Sequence, residues 1–298
     1  MLRKLKLDST NQEPLQYSES TFPVECYIDH FAHYVDRTME THWHNGIEYM
    51  LALNSDLDIT INGHFYTLHK GECAFYNLNV MHGIRASKSV EDPQSFGLFF
   101  SPLVLCDNAG SVVYQQYIHP IIYSSLNGFI LKPDNPISSK IIQLLHDSKD
   151  VLFSKSSYYG YELKVLSLLC EIWRLTSIYI DNYQPVANAT AQNNKSTEIA
   201  KKIIMLIHSQ YTEDISIEQI SSELYISRSK CFKIFKQYTQ KTPIAYLMEY
   251  RLKKAGEMLL QTDKSVTEIG TACGFSSSSY FIKCFKESFG VSPAKYRK

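Results

Sequence analysis

Residues 274–298 read GFSSSSYFIKCFKESFGVSPAKYRK, and a second version of this segment lies upstream. Residues 232–236 read FKIFK and residues 282–286 read IKCFK, an offset of 50 positions. Nearer the start of each copy the offset falls to 49, as between Ser216 and Ser265. The chain therefore contains two copies of one unit, with one residue inserted at the turn of the second copy.

Each copy predicts a short capped helix, a tight turn and a second helix rich in serine and lysine. Ser216 and Gln219 have the spacing of a capping box, in which each side chain bonds a free backbone amide of the other. Thr242 before Pro243 is a helix start signal, and Gly274 is a helix end signal. This pattern is typical of the helix-turn-helix, whose second helix can enter a major groove.

The segment between the copies predicts one longer helix over residues 243–261, roughly 28 Å long at 1.5 Å per residue. A rod of this length can hold two recognition helices about one DNA turn, ~34 Å, apart on one face. A plain helical bundle is the alternative. Doubled units with cationic second helices are uncommon as scaffolding and favour the DNA-binding interpretation.

The stretch SRSKCFKIFKQYTQKTPIAYLMEYRLKKAGEMLLQTD at 227–263, followed by SVTEIG and the segment quoted first, resembles the DNA-binding module of AraC-type transcription regulators. The resemblance covers residues 197–298 and implies two helix-turn-helix units that bind double-stranded DNA. Gly256 stands mid-helix where such modules usually carry alanine. Lys233 and Lys283 stand where the family usually has arginine, and lysine cannot form the planar fork to guanine, so softer base discrimination is expected.

Helical spacing separates two faces of each second helix. The predicted inward stripes are Cys231, Ile234, Phe235 and Tyr238 in the first copy and Phe281, Cys284 and Phe285 in the second. The opposite faces match the base-facing positions of the family and comprise Ser229, Phe232 and Lys233, then Ser279, Ile282 and Lys283. Ser278 is a further candidate DNA-binding residue. Phe232 either touches a thymine methyl group or packs against a neighbouring helix.

Phosphate contacts, which fix register without reading sequence, are predicted for the remaining cations of these helices, with solvated side chains as the alternative. They are Arg228, Lys230, Lys236 and Lys286. Residues 195–298 carry 17 Lys or Arg against 10 Asp or Glu, a net charge of +7, whereas residues 1–194 carry −7. A basic half joined to an acidic half favours a nucleic-acid-binding domain attached to a domain with another role.

The first 183 residues predict a small β-barrel, at about 15–130, followed by two helices at about 137–183. Leu57, Ile59 and Ile61 alternate with polar residues, and Asn62-Gly63 is a tight hairpin signal. Further strands are predicted over 47–53, 65–68, 73–78 and 95–100. The polar stretch QPVANATAQNNKS at 184–196 is the predicted linker. The fold class is thus mixed, with a β-rich first domain and an all-α second domain.

A histidine cluster marks the β-rich domain. His42-Trp43-His44 places both imidazoles on one face of a strand. With Glu48 and His82, this set resembles the cupin motif, although Asp36, Asn77 and Asn79 replace the expected glycines and proline. Such a set of ligands suits Mn, Fe, Ni or Zn. The relaxed frame favours histidines that hydrogen-bond an effector directly; metal ligation and a purely structural role are the alternatives.

The AraC-type resemblance implies a cupin-like effector sensor in front of the DNA-binding module. Tyr49, Tyr66 and Tyr76 are candidate pocket residues, and an aromatic pocket suits a sugar or similar polar ligand. The helical pair resembles the family's dimerisation element, with Leu166 and Trp173 on its apolar stripe; packing on the barrel is the alternative. Activation of transcription, through contact with RNA polymerase, is expected only because most members of the family are activators. A cytoplasmic homodimer that regulates a metabolic operon, with carbohydrate use one candidate, is the expected context.

Two function classes compete on the sequence. One is the ligand-responsive regulator just described. The other is a metal-dependent cupin enzyme with an accessory helical domain, but an enzyme has no need for a doubled helix-turn-helix. We therefore predict a regulator with no catalytic residues. No apolar run reaches the ~18 residues of a membrane span, and the seven cysteines form no CxxC pair, which excludes a zinc knuckle of that type.

Overall fold

The strands of the front half form two antiparallel sheets. The computed structural model describes residues 7–8, 12–15, 17–19, 21–106, 108–154, 159–183 and 191–297. The chain divides into two compact units, residues 1–194 and 195–298. The strands of the first unit are β1 Val24–His30, β2 Thr38–His42, β3 Ile47–Ala52, β4 Leu57–Ile61, β5 His64–Leu68, β6 Cys73–Tyr76, β7 His82–Ala86, β8 Gln94–Phe100 and β9 Gly128–Leu131.

All strand pairs are antiparallel, in a five-stranded sheet of order β1-β8-β3-β6-β9 and a four-stranded sheet of order β2-β7-β4-β5. Strand β3 is buried along its whole length. Met50 joins the core between the sheets, whereas Tyr49 and Leu51 join the core on the outer face. The five-stranded sheet is therefore covered on both sides.

The predicted Asn62-Gly63 hairpin is present between β4 and β5. Both turn residues have positive φ, 48° at Asn62 and 81° at Gly63, which is the backbone of the tight hairpin turn that this dipeptide favours. In β4 the apolar side chains are buried while Asp58 is exposed, so the four-stranded sheet has one solvent face.

The outer face of the five-stranded sheet is covered by helices. Short α1 (His119–Ile122) is followed by α2 (Pro136–Phe153) and α3 (Tyr161–Tyr183). Asn135 caps α2 by accepting from the amides of Ile137 and Ser138. The side-chain oxygens of Tyr49 and Thr176 lie 2.7 Å apart in a buried hydrogen bond that ties β3 to α3.

The sequence pattern suggested that Trp173 belongs to an apolar stripe of α3 that a second copy covers. In the structure Trp173 is not part of such an open stripe. Its ring is buried in the core beside Phe75 and Phe100, and its indole N–H donates to the carbonyl oxygen of Tyr117 at 3.0 Å. Leu166 is half-buried. The apolar periodicity of α3 thus serves mainly the fold of the unit, because the outer sheet face needs a cover.

The predicted linker falls partly outside the described residues, at 184–190. Its second part, residues 191–196, lies in the helix α4 (Ala191–Gln210) rather than in a loop. Those six positions, AQNNKS, contain neither proline nor glycine, so no residue there stops the helix from beginning early.

The second unit is entirely helical in its described part. After α4 it consists of α5 Ile217–Glu223, α6 Arg228–Thr239, α7 Pro243–Gln261, α8 Val266–Ala272, α9 Ser278–Phe289 and α10 Pro293–Tyr296. The predicted capping box of Ser216 with Gln219 is formed, and the second copy has an equivalent one at Ser265 with Glu268. The two helix-turn-helix units, α5-α6 and α8-α9, are thus confirmed, with the 19-residue α7 between them.

Buried side chains from both helix-turn-helix units pack on α7. The guanidinium of Arg251 is itself buried and donates to the carbonyl oxygens of Tyr211 and Glu213, both at 2.6 Å, which ties α7 to the segment that follows α4. None of the helices in the described part of the chain combines the length and apolar character needed to cross a membrane.

Candidate nucleic-acid interface and buried histidine cluster

The recognition helices α6 and α9 each bury the face that the spacing predicted. In α6 all four residues of the inward stripe are buried; in α9 Phe281 and Phe285 are buried and Cys284 is half-buried. Ser227 caps α6 and Ser277 caps α9, an offset of 50, so the inserted residue of the second copy lies in its turn. The two helices therefore present equivalent opposite faces.

The opposite faces are open to solvent. Phe232 is 42% exposed and Ile282 is 40% exposed, while Ser229, Lys233, Ser279 and Lys283 are exposed and Ser278 is half-buried. Phe232 therefore does not pack fully against a neighbouring helix, and half of its ring is available to a partner. Serine, a large apolar group and lysine at i, i+3 and i+4 can offer a hydrogen bond, a contact for a thymine methyl and a cation.

The predicted phosphate-contacting cations are exposed too. Lys230, Lys236 and Lys286 are exposed side chains. Arg228 donates to Glu218 at 2.7 Å, and this contact between α6 and α5 lowers the pKa of Glu218. Guanidinium has five N–H donors, so the ion pair orients Arg228 and leaves further donors for a phosphate.

Tyr280 is an aromatic residue of this surface that the sequence analysis did not select. It is exposed, on the first turn of α9. By the repeat it corresponds to Lys230, already a candidate, so the offset of 50 was a signal that could have found it.

The histidine cluster lies where the two sheets of the first unit meet. His42 of β2 and His82 of β7 are cross-strand partners in the four-stranded sheet. Glu48 comes from β3 of the facing sheet, and His44 from the connection between β2 and β3. The three histidines are each 1% exposed and Glu48 is 3% exposed. The predicted convergence of these four residues is therefore present.

The rings converge through one nitrogen each. Nε2 of His44 lies 3.0 Å from Oε2 of Glu48, and Nε2 of His82 lies 3.1 Å from the same oxygen, outside hydrogen-bond geometry. The candidate ligand nitrogens of the three histidines lie within 4.8 Å of one another. These nitrogens and the carboxylate can hold a cation together.

The other ring nitrogen of each histidine, Nδ1, makes a hydrogen bond to a backbone carbonyl oxygen. Nδ1 of His42 lies 2.8 Å from the carbonyl oxygen of Glu40, Nδ1 of His44 lies 3.0 Å from that of Gly46, and Nδ1 of His82 lies 2.8 Å from that of Val80. A carbonyl oxygen can only accept, so each Nδ1 carries the proton. Nε2 of each ring is therefore the nitrogen that is directed into the cluster, where that of His44 meets Glu48.

The carboxylate of Glu48 is held in its charged form. Burial would raise its pKa, but the charge of His82 and the contact with His44 outweigh burial and hold the pKa well below its usual range. The Tyr76 ring stacks on His82 with centroids 4.4 Å apart, and its buried hydroxyl has no hydrogen-bond partner among the described residues. Burial, with the nearby Glu48 charge, raises the pKa of that hydroxyl far above its usual value.

A second carboxylate reaches the cluster from the N-terminal segment. Oε2 of the buried Glu13 lies 3.8 Å from Nε2 of His42, and the backbone N–H of Glu13 donates to the carbonyl oxygen of Trp43 at 2.8 Å. Glu13 is about 30 residues from His42 in sequence, with no repeat or motif between them. No sequence signal could have found it.

Two of the three candidate pocket tyrosines lie elsewhere. Tyr49 points to the outer face of its sheet, toward α3, because it alternates with Glu48 along β3. Tyr66 is an exposed side chain of β5. Tyr76 alone of these three is beside the histidines. The alternation of strand side chains decides this placement.

Comparison with known proteins gives one family match and relatives along the whole chain. A family model described as a helix-turn-helix domain matches residues 220–298. An uncharacterized HTH-type transcriptional regulator, YdeC of Bacillus subtilis strain 168, is 26% identical over 298 residues, 100% of this chain and 99% of that protein. The melibiose operon regulatory protein of Escherichia coli K12 is 21% identical over 273 residues, 87% of this chain and 83% of that protein.

The comparison extends to a solved structure. A transcriptional regulator from Chromobacterium violaceum, with an AraC-type DNA-binding domain, is 33% identical; the match covers 35% of this chain and 93% of that chain, with a TM-score of 0.33. The two sequence relatives named above are described as transcription regulators.

Proposed function

We propose that the protein is a ligand-responsive, sequence-specific DNA-binding regulator of the AraC type and not an enzyme, because residues 220–298 match a helix-turn-helix family model and the relatives of the chain are transcription regulators. One observation carries the proposal. Two equivalent recognition helices, α6 and α9, flank α7, and each exposes a side-chain set at i, i+3 and i+4 that suits base contact.

The two helices read two adjacent segments of major groove. Ser229, Phe232 and Lys233 contact the bases of one half-site, and Ser279, Ile282 and Lys283 contact those of the other. The phosphate contacts come from the cations at the helix starts and ends, together with Ser278 at the start of α9. The net charge of +7 on residues 195–298 supports a large sequence-independent contribution that falls with salt.

The first unit is the sensor in this proposal. Its buried polar cluster of histidines and carboxylates costs desolvation energy that an apolar core would avoid, which favours a role beyond folding. A small polar effector, with sugars the first candidates, acts at this end of the unit. Similarity to the melibiose operon regulatory protein supports a carbohydrate operon as the target. The protein acts in the cytoplasm, as an activator that engages RNA polymerase at the promoter.

The functional form is a homodimer held together by the helical pair of the first unit. Because Trp173 is buried in the core of the first unit, the proposed dimer contact is the exposed outer face of α3. That face includes Leu163, which is 75% exposed, together with the exposed Ile178. Burial of these side chains by a second copy removes apolar surface from water.

Selection of bound fragments from random DNA by the full-length protein tests the proposal. We expect a motif with two segments whose centres lie about 10 base pairs apart. Footprints of the selected DNA should show protection on one face. A matched selection with a Lys233→Ala/Lys283→Ala double variant should enrich no motif while retaining weak, salt-sensitive binding. Wild-type protein that enriches no sequence would refute the proposed function.

A further inference from the structure

We propose that the two recognition helices bind DNA unequally: α6 supplies most of the phosphate contacts, whereas α9 acts mainly through neutral and apolar groups. This inference rests on the proposed function and assigns different contributions to the two half-sites. The affinity for DNA and its salt dependence then come chiefly from the half-site beside α6. Three observations on the two helices support the inequality.

The first observation is the difference in charge between the two helices. α6 contains four cationic side chains and no acidic one, a net charge of +4. α9 contains two lysines and one glutamate, a net charge of +1. When the preceding helix and turn are included, residues 217–239 have four cations against two acids and residues 266–289 have two against two. The first helix-turn-helix is therefore the more cationic one on either count.

The second observation is the position of the differences. Lys233 and Lys236 of α6 correspond to lysines of α9 at the offset of 50, whereas three other pairs differ in charge. These pairs are Arg228 and Ser278, Lys230 and Tyr280, and Gln237 and Glu287. Each of the three differences makes α9 less positive. Two of them lie in the first turn, and the N-terminal end of a recognition helix is the part that meets the DNA.

The third observation is that the charge difference lies on the surface. All four cations of α6 are exposed, and so is the glutamate of α9. Tyr280 is 50% exposed, while Ser278 and Gln237 are half-buried. The inward stripes of the two helices are both apolar and pack in the same way. The charge difference is therefore presented to a partner and is not used inside the fold.

The charge difference has a physical consequence for DNA binding. A cation that neutralises a phosphate releases a counterion, so each such contact steepens the fall of affinity with salt. Tyr280 can donate a hydrogen bond from its hydroxyl but neutralises no phosphate, and Glu287 repels phosphates. Ile282 can contact a thymine methyl, which depends on the base pair and little on salt. The α6 half-site should thus be bound tightly at many sequences, whereas the α9 half-site adds affinity only where its sequence fits.

Exchange of the differing side chains between the helices, in the full-length chain, tests the proposal. Arg228→Ser/Lys230→Tyr gives α6 the residues of α9. The reverse variant, Ser278→Arg/Tyr280→Lys, gives α9 the residues of α6. Lys202→Ala, at an exposed position of α4, is the control for a charge lost outside the recognition helices. Thermal melts establish that each variant is folded, and binding to wild-type-selected duplex is measured between about 50 and about 200 mM salt.

We expect the α6 variant to lose about two from the slope of log K against log salt. Its affinity should accordingly fall about tenfold less than that of wild type over this range of salt. The α9 variant should gain a similar slope and bind more tightly at low salt, while Lys202→Ala should keep the wild-type slope. An α6 variant that behaves like Lys202→Ala, or an α9 variant that gains neither slope nor affinity, would overturn the proposal.

Two short duplexes of equal length, each with one of the two selected segments, give a second measurement on wild-type protein. Selections with Lys233→Ala and Lys283→Ala assign each segment to its helix. The duplex with the α6 segment should bind more tightly and with the steeper salt slope. Equal affinities and equal slopes for the two duplexes would refute the inequality.

The outcomes also separate this proposal from the regulatory one. Wild-type protein that enriches no motif refutes sequence-specific regulation, and the exchange variants still test the inequality on random duplex. Protein that enriches a motif but binds both half-sites with equal slopes retains the regulator and refutes the inequality. Protein that binds no DNA refutes both.

Discussion

Tyr225 and Gly274 occupy the same position in the turns of the two helix-turn-helix units, and both have left-handed backbone, with φ of 52° and 84°. A Cβ on Gly274 would lie 2.8 Å from the carbonyl oxygen of Tyr211 and 2.9 Å from Nε of Arg251. In the first helix-turn-helix, by contrast, the Tyr225 side chain is 96% exposed. The second turn therefore requires glycine for space as well as for conformation, and the first turn does not.

Substitution at these two turns should have opposite effects on stability. Tyr225→Gly relieves the left-handed conformation of a side-chain-bearing residue, and we expect the free energy of unfolding to rise by up to about 1 kcal/mol. Gly274→Ala should lower it by more than about 1 kcal/mol, because strain and collision add. Denaturant unfolding of the full chain, followed at the transition of the second unit, measures both. Equal effects of the two substitutions would contradict this account.

Gly256 and Gly270 form a second matched pair. A Cβ on Gly256, inside α7, would meet Phe289 at 3.6 Å, an ordinary contact, so Gly256→Ala should stabilise by about 0.5–1 kcal/mol through helix propensity. A Cβ on Gly270, inside α8, would lie 2.9 Å from Cδ1 of the buried Phe281. Gly270→Ala should therefore destabilise by about 1–3 kcal/mol. Thermal melts distinguish these outcomes, and a destabilised Gly256→Ala would show that α7 lacks the space described.

Lys233 of α6 and Lys283 of α9 should contact different bases. Lys233→Ala and Lys283→Ala should each weaken specific binding by about 1–3 kcal/mol and relax the preference in separate half-sites. Lys202→Ala, an exposed lysine of α4, removes the same charge outside the recognition helices and is the control. Binding assays on single-base variants of the selected DNA supply the readout. If both variants relax the same base pairs, the two-groove arrangement is wrong.

Phe232 should recognise a thymine methyl group. Its ring is half exposed, so Phe232→Ala should change stability by little but weaken DNA binding by about 1 kcal/mol, near the value of one buried methyl-sized group. Replacement of the contacted thymine by uracil should cost wild type the same amount. The Phe232→Ala protein should be indifferent to that replacement. Additive losses from the two changes would place Phe232 away from the base.

The outer face of α3 should control the oligomeric state. Leu163→Glu places a charge on an exposed position and should yield folded monomers that still melt cooperatively. Gln143→Glu adds the same charge on α2 as a control. Trp173→Gln should instead unfold the first unit, because it removes a buried ring and leaves a cavity. Sedimentation of the full chain checks this prediction, and a Leu163→Glu protein that stays dimeric would move the interface elsewhere.

Local sequence patterns were sufficient to predict most helices of the second unit. The repeat, the capping serines and the Thr242-Pro243 start predict helices that the structure confirms, because caps and helical periodicity act within a few residues of one another. The same holds for the Asn62-Gly63 hairpin, whose two residues tolerate positive φ. The start of α4 was missed, since the polar composition of residues 191–196 suggested a loop while no helix-breaking residue was present.

The sequence by itself determined which side chains share a surface or a cluster: the exposed faces of α6 and α9, and the set of His42, His44, Glu48 and His82. Periodicity and motif spacing carry that information locally. Tertiary structure alone decided how those groups are presented. It turned Tyr49 away from the histidines, placed Trp173 in the core, directed every Nδ1 proton to a carbonyl and brought Glu13 to His42. Each of these outcomes depends on contacts between residues far apart in the chain, for which strand alternation and helix spacing contain no signal.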